Sequence, residues 1–272
     1  MTKTDRIELN YELHFMAPFH CGTGLRVGLI DRTVVRDHDG YLYVPGSTIK
    51  GCLREQCEWL ARLYEVLDPV MRERIASPHE KQNTLRAKGQ PATMVTRIFG
   101  APHHPGRLFF EDARQKDADK QEYDDTRDRK TGKGRYKSLQ TSLYTQVRID
   151  RPTRTATPGA LYTSEFGAPS AGASGARNFA FAGSITGWLT CTQIETLEDG
   201  PTYSLLLLLA GLHMLDRLGG NKSTGKGKCR IEIKGLKIED QECSEERWRS
   251  WLDHLEALSY YSTYAASQEE EV

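Results

Sequence analysis

The stretch YSLLLLLAGLHMLDRLGGNKSTGKGKCRIEI, Tyr203 to Ile233, decides how the chain is read. Its first part, Tyr203 to Leu218, is strongly apolar and reads as a buried helix, with Gly219-Gly220 ending it as a C-cap would. A basic glycine loop follows, and Cys229-Arg230-Ile231-Glu232-Ile233 reads as a strand. Inside the loop, Gly220 to Gly227 nearly spells the ATP-binding P-loop G-x-x-x-x-G-K-[ST]. It fails twice. Gly227 stands where a magnesium-binding Ser or Thr is needed, and a P-loop follows a strand and opens a helix, the reverse of the order here. No helix N-terminus is left to receive phosphates, so no nucleotide triphosphate is expected. What the loop does offer is close backbone approach at Gly219, Gly220, Gly225 and Gly227, with positive charge from Lys222, Lys226 and Lys228. That suits a phosphodiester backbone, and equally suits a plain solvated connection.

Working back from this loop, Ile7, Leu9, Tyr11, Leu13 and Phe15 alternate along a strand over residues 7–19. A glycine turn, Cys21-Gly22-Thr23-Gly24, and a loop to Asp39-Gly40 lead to a short strand, Tyr41 to Val44. Pro45-Gly46 stops it, Ser47 suits an N-cap, and Ile49, Leu53, Cys57, Leu60 and Tyr64 recur at helical spacing over about 48–66. Residues 67–100 read as polar and irregular, Arg107 to Asp112 as a strand, and 113–138 as a charged, solvated insertion. Residues 150–177, rich in Pro, Gly, Ala and Ser, read as a second long loop. Phe179 to Ile194 alternates as a strand again, and a final helix over about 244–258 precedes an acidic tail. The order β, β, α, insertions, β, α, glycine loop, β is a split βαβ pattern. The fold class is therefore α+β, a ferredoxin-like or RRM-like core in one domain with large inserted loops. The aromatic signature of a standard RRM is missing.

The chain has 272 residues, 38% hydrophobic, enough for one substantial core. Lys plus Arg and Asp plus Glu each number 37, so the formal net charge is zero. A free-standing nucleic-acid binder is usually basic, so any such role has to use local patches. Six cysteines form no C-x-x-C pair, which argues against a zinc site and for reduced thiols in the cytoplasm. No apolar run approaches the ~20 residues that span a bilayer, and nothing at the N-terminus resembles a signal peptide.

Three separated segments share one chemistry. They are His20-Cys21-Gly22-Thr23-Gly24 with Gly28 to Asp37, Val44-Pro45-Gly46-Ser47-Thr48-Ile49-Lys50-Gly51-Cys52-Leu53-Arg54, and the loop Gly219 to Gly227. Together they resemble the RAMP superfamily of CRISPR proteins, and within it the backbone subunits of type III effector complexes, the seventh Cas family. Val147-Arg148-Ile149-Asp150-Arg151, Gly159 to Tyr162 and Glu165 agree with it. Thr224 departs, standing where the family often carries Arg, and 113–138 has no family counterpart. The resemblance implies an RRM-like core with an inserted thumb. It implies guide RNA, target RNA and other effector subunits, or further copies of the chain, as partners.

The helix after Pro45-Gly46-Ser47 offers an anion site at its N-terminus, and Lys50 and Arg54, four apart, share a face that reaches phosphates. With the resemblance, the RNA-binding set is His20, Gly22, Gly24, Arg26, Ser47, Lys50, Arg54, Arg148, Arg151, Gly220, Lys222, Ser223, Gly225, Lys226 and Lys228. Asp31 follows Gly28-Leu29-Ile30, where cleaving members place an aspartate. The resemblance makes it the catalytic residue for target RNA and a ligand for Mg²⁺, with RNA oxygens completing the shell. Two other readings stand beside this: an inactive architectural subunit, and a guide-processing endoribonuclease using His20 as general acid or base.

Overall fold

The computed structural model describes residues 2–64, 93–101, 105–117, 120, 140–168, 180–197 and 200–261. Strand β1, Thr2–Phe15, lies at the centre. The alternation expected of it holds: Ile7, Leu9, Tyr11, Leu13 and Phe15 are all buried. On one side it pairs antiparallel with β7, Ala180–Thr192, and on the other with β8, Cys229–Ile238. Short strands β3, Leu108–Phe110, and β4, Ala113–Gln115, continue the sheet beyond β7, with β2, Tyr43–Val44, outside β4. Strand β9, Gln241–Cys243, adds to the β8 edge. If β3 and β4 count as one strand, the four core strands take the order fourth, first, third, second, all antiparallel. That is the ferredoxin-like arrangement expected from the split βαβ pattern.

Helix α1, Gly46–Tyr64, buries Ile49, Leu53, Cys57 and Leu60 along one stripe. It packs against α3, Tyr203–Met214, whose residues Tyr203 to Leu212 are buried on every side. Helix α2, Met94–Phe99, and helix α4, Glu245–Leu252, close over α3. The opposite face of the sheet is polar: Glu8 and Glu12 of β1 pair with Lys237, Lys116 and Lys234.

Several expectations change. Residues 150–177 are not one long loop. Strands β5, Thr141–Ile149, and β6, Ala156–Gly167, form an antiparallel hairpin, joined by a turn whose Arg154 adopts positive φ. Its polar composition hid it, as did Pro158 and Gly159, the latter at φ 72° beside a shift in register. Met94 to Phe99, within the stretch read as irregular, forms a buried helix capped by the Thr93 hydroxyl. Ala113 to Gln115 is a buried strand rather than solvated chain. Helix α3 stops at Met214, so Gly219-Gly220 does not cap it; Leu215 does. Ser47 lies inside α1 rather than at its N-cap. Residues 67–92, most of 113–138, and 169–177 lie outside the described residues, as does the acidic tail.

Candidate nucleic-acid interface

The C-terminal end of β1 and the start of β8 are neighbours, with Phe15 opposite Cys229. That adjacency brings the two loops next to these strands together. The Gly220 N–H donates to the His20 carbonyl and the Gly227 N–H to the Pro18 carbonyl, both at 2.8 Å. Gly219, at φ 86°, packs directly on the His20 carbonyl. Gly227, at φ 73°, lies so close to the Leu218 carbonyl that a side chain there would overlap it. These glycines are required by close approach within the protein.

Beside this seam opens a cleft of about 690 Å³. One wall is His20, Gly22, Gly24 and Asp31 to Thr33; another is the start of α1 through Ser47, Thr48, Gly51 and Cys52; Gly219 and Gly220 close it. The three segments quoted from the sequence thus line one space. His20 is fixed by a 2.7 Å hydrogen bond from Nδ1 to the Glu165 carbonyl. A carbonyl only accepts, so Nδ1 is the donor, and Nε2 is the ring nitrogen left outside this bond. The Asp31 backbone N–H donates to the Thr163 carbonyl at 2.8 Å, and its Oδ2 accepts the Thr163 N–H at 2.8 Å. Its Oδ1 lies 3.4 Å from Arg26 Nε, and the side chain is 30% exposed. Asp31 therefore borders the cleft and also brackets the loop to β6.

The glycine loop is cationic, but five of its amides are already engaged within the protein. Besides Gly220 and Gly227, the N–H groups of Thr224 and Lys226 go to the Asn221 carbonyl and that of Gly225 to Lys222. At these five positions contact with an anion falls to side chains. Lys222 Nζ meets Glu55 at 2.7 Å, and that hydrogen bond pushes its pKa up. Lys226 Nζ sits 3.8 Å from the Tyr144 ring centre and 5.3 Å from Phe166. Ser223, Gly225 and Lys228 are exposed.

Other expected residues fall elsewhere. Lys50 lies over the Phe110 ring at 5.6 Å, while Arg54 pairs with Glu58 at 2.7 Å and donates to the Gly100 carbonyl. Their shared face turns from the cleft, and Ser47/Gly51 with Thr48/Cys52 face it instead. The helix N-terminus is also already served. The Gly46 N–H goes to Asp112, and those of Thr48 and Ile49 to the Pro45 carbonyl. Arg148 and Arg151 stand exposed at the far end of the hairpin, outside the cleft lining. Sequence reasoning did not single out Glu55, Tyr144, Thr163 or Arg32. Of these, Glu55 was within reach, since it follows Gly51 by one turn.

Asp31 supplies one carboxylate with both oxygens engaged, and no group of three or more His, Cys, Asp or Glu able to hold a metal occurs among the described residues. Cys21, against the cleft floor, is buried, and burial pushes its thiol up to about 12.

Residues 12–230 match the family model of the RAMP superfamily. The chain belongs to the RAMP superfamily. Among solved structures, this RAMP protein is similar to a chain in a cryo-EM structure of the type III-B Cmr-beta bound to cognate target RNA. Identity is 13%, coverage is 83% of this chain and 96% of that one, and the TM-score is 0.48. A search of curated proteins returns no match. The matched span of the RAMP model takes in the whole cleft lining, from His20 through Gly220.

Proposed function

We propose that this RAMP protein is a guide-RNA-binding backbone subunit of a type III CRISPR effector complex. One observation carries the reading: three segments far apart in sequence, each glycine-bearing, converge on one cleft, with the lysines of the glycine loop beside it. The guide would read sequence by base pairing while the protein holds backbone. The zero net charge fits a subunit that stacks on copies or paralogues, since a uniformly basic surface would repel its neighbour. The hairpin β5–β6 would serve as the thumb. Its exposed Leu143, Val147, Ile149 and Leu161 would meet a neighbouring subunit. The test is photo-crosslinking of thiouridine-substituted guide RNA in the assembled complex. Crosslinks should fall on 20–33 and 219–228; crosslinks confined to the polar sheet face would overturn the reading.

A second activity is favoured by the place of Asp31 at the cleft: cleavage of the paired target RNA. A Mg²⁺ ion there would need RNA oxygens for most of its shell. Asp31→Asn separates the roles, because the amide oxygen still accepts the Thr163 N–H while the charge is lost. We expect cutting at this subunit's own site to stop while assembly and target binding persist, read on labelled target RNA at single-nucleotide resolution. Full cutting by the Asn variant leaves Asp31 a bracket and the subunit architectural. Metal-free cutting of precursor guide RNA that His20→Gln abolishes would instead identify a processing enzyme.

A further inference from the structure

Glu55 lies one turn beyond Gly51, at the edge of the α1 face that lines the cleft, and its carboxylate holds Lys222 at 2.7 Å. We propose that Glu55 takes the place of an RNA phosphate in the RNA-free chain. Binding at the glycine loop is then an exchange of carboxylate for phosphodiester on Lys222. The proposal rests on the RNA-binding reading above and names a residue that sets its affinity.

Four observations support it. Both partners are open to solvent, with side chains 36% and 63% exposed, so an incoming phosphate can reach the pair. Glu55 makes no other hydrogen bond or ion pair among the described residues. The loop does not depend on Glu55 for its shape. Arg217 Nη1 and the Gly225 N–H both bind the Lys222 carbonyl, and Asn221 and Gly225 supply left-handed turns on either side. Finally, the neighbouring Lys226 is held by the Tyr144 and Phe166 rings, which leave its charge uncancelled. Within the loop, Lys222 is the lysine whose charge a carboxylate offsets.

The consequence is physical. Any RNA contacting Lys222 must first displace Glu55, which then stands beside the phosphate and attracts a cation from solution. A loose, nonspecific strand gains little there. A strand held by the rest of the cleft and by neighbouring subunits displaces Glu55 as part of a larger set of contacts. The same displacement cost falls on every strand that contacts Lys222, so strands with few other contacts are the first to lose measurable binding.

The test is Glu55→Gln in the full chain, with a fluorescein-labelled single-stranded RNA of mixed sequence titrated at several salt concentrations. We expect the variant to bind a few-fold more tightly at low salt. Its plot of log affinity against log salt should steepen by about 0.7, the increment for one further phosphate neutralised on a single strand. In a Lys222→Ala background the same change should have little effect. Unchanged or weaker binding by Glu55→Gln would overturn the exchange and make the pair a structural clamp. Equal tightening with and without Lys222 would overturn it too, leaving Glu55 a general repulsive charge. Wild-type chain that binds no RNA at any salt would instead remove the RNA-binding reading on which the proposal rests.

Discussion

Helix α3 and the β5–β6 hairpin use the same residue types in opposite ways. Leu205 to Leu209 of α3 are each at most 1% exposed, enclosed by the sheet on one side and α1, α2 and α4 on others. On the hairpin, Leu143, Ile149 and Leu161 are each more than half exposed, and they pack into no core cluster. The hairpin joins the body mainly at its base, through Phe19 opposite Gly167, Arg32 beside Ser164, and the polar contacts of Asp31 and Glu165. The first region is complete within one chain. The second exposes apolar surface that a single chain does not cover, which is what an assembling subunit needs.

The contrast breaks hardest at α3. Leu207→Ala removes a fully buried side chain where packing on all sides prevents collapse, and should cost about 2–5 kcal/mol by denaturant unfolding. A loss below about 1 kcal/mol would mean that α3 is not the centre of the core.

The hairpin's own anchor is polar, and its dependence on pH sharpens the comparison. Arg36 Nη2 meets Glu165 Oε1 at 2.8 Å, and Glu165 Oε2 accepts the Val34 N–H at 3.1 Å. Burial pushes the Glu165 carboxyl up, but the Val34 N–H and the Arg36 guanidinium outweigh it and hold the group below its ordinary 4.5. A carboxyl depressed in the folded state stabilises above its unfolded value, and that contribution is lost as pH falls through the lower folded value. Arg36→Ala should cost about 3 kcal/mol near neutral pH, the low end for a broken buried pair. The gap from wild type should narrow only as pH falls through the depressed folded value, below 4.5, where Glu165 becomes neutral in the wild type as well. A gap that stays constant with pH would show that Arg36 acts by packing alone.

The core was legible because its signals are strong and local. Period-two alternation in β1 and the unbroken apolar run of α3 leave few alternatives, and the strand order follows once the split βαβ pattern is seen. The hairpin was not legible. Its strands face solvent on much of their surface, so the apolar residues of β5 mark no core face, and Pro158-Gly159 put turn residues inside β6. The cleft was legible in part. The segment Pro45 to Gly51 marks the correct wall, but its conspicuous charges mislead: Lys50 and Arg54 lie outside the cleft lining, and the small residues Gly51 and Cys52 are the ones that open space. Glu55 and Asp31 show the same limit: a sequence displays a carboxylate but not the cation or amide already holding it.

The smallest expected effect on stability is on the hairpin. Leu161 lies opposite Val147 across the strands, and both are exposed. Leu161→Ser removes apolar surface that is already in water, so the denaturation midpoint should move by no more than about 0.5 kcal/mol. A cross-strand pair of this kind contributes roughly 0.2–1 kcal/mol, which sets the upper limit of any loss. Assembly is where the change should appear. If a neighbouring subunit covers this face, the variant loses the burial of one leucine at every interface, about 1.5–3 kcal/mol each, and a stack of copies multiplies the deficit. Native mass spectrometry of the reconstituted complex should then show shorter stacks, while the isolated chain unfolds as wild type does. A variant that is clearly less stable alone would mean the hairpin's apolar residues support their own fold. Full-length stacks at wild-type yield would mean that no neighbour covers Leu161, and the contrast with α3 would then lack the functional meaning given to it.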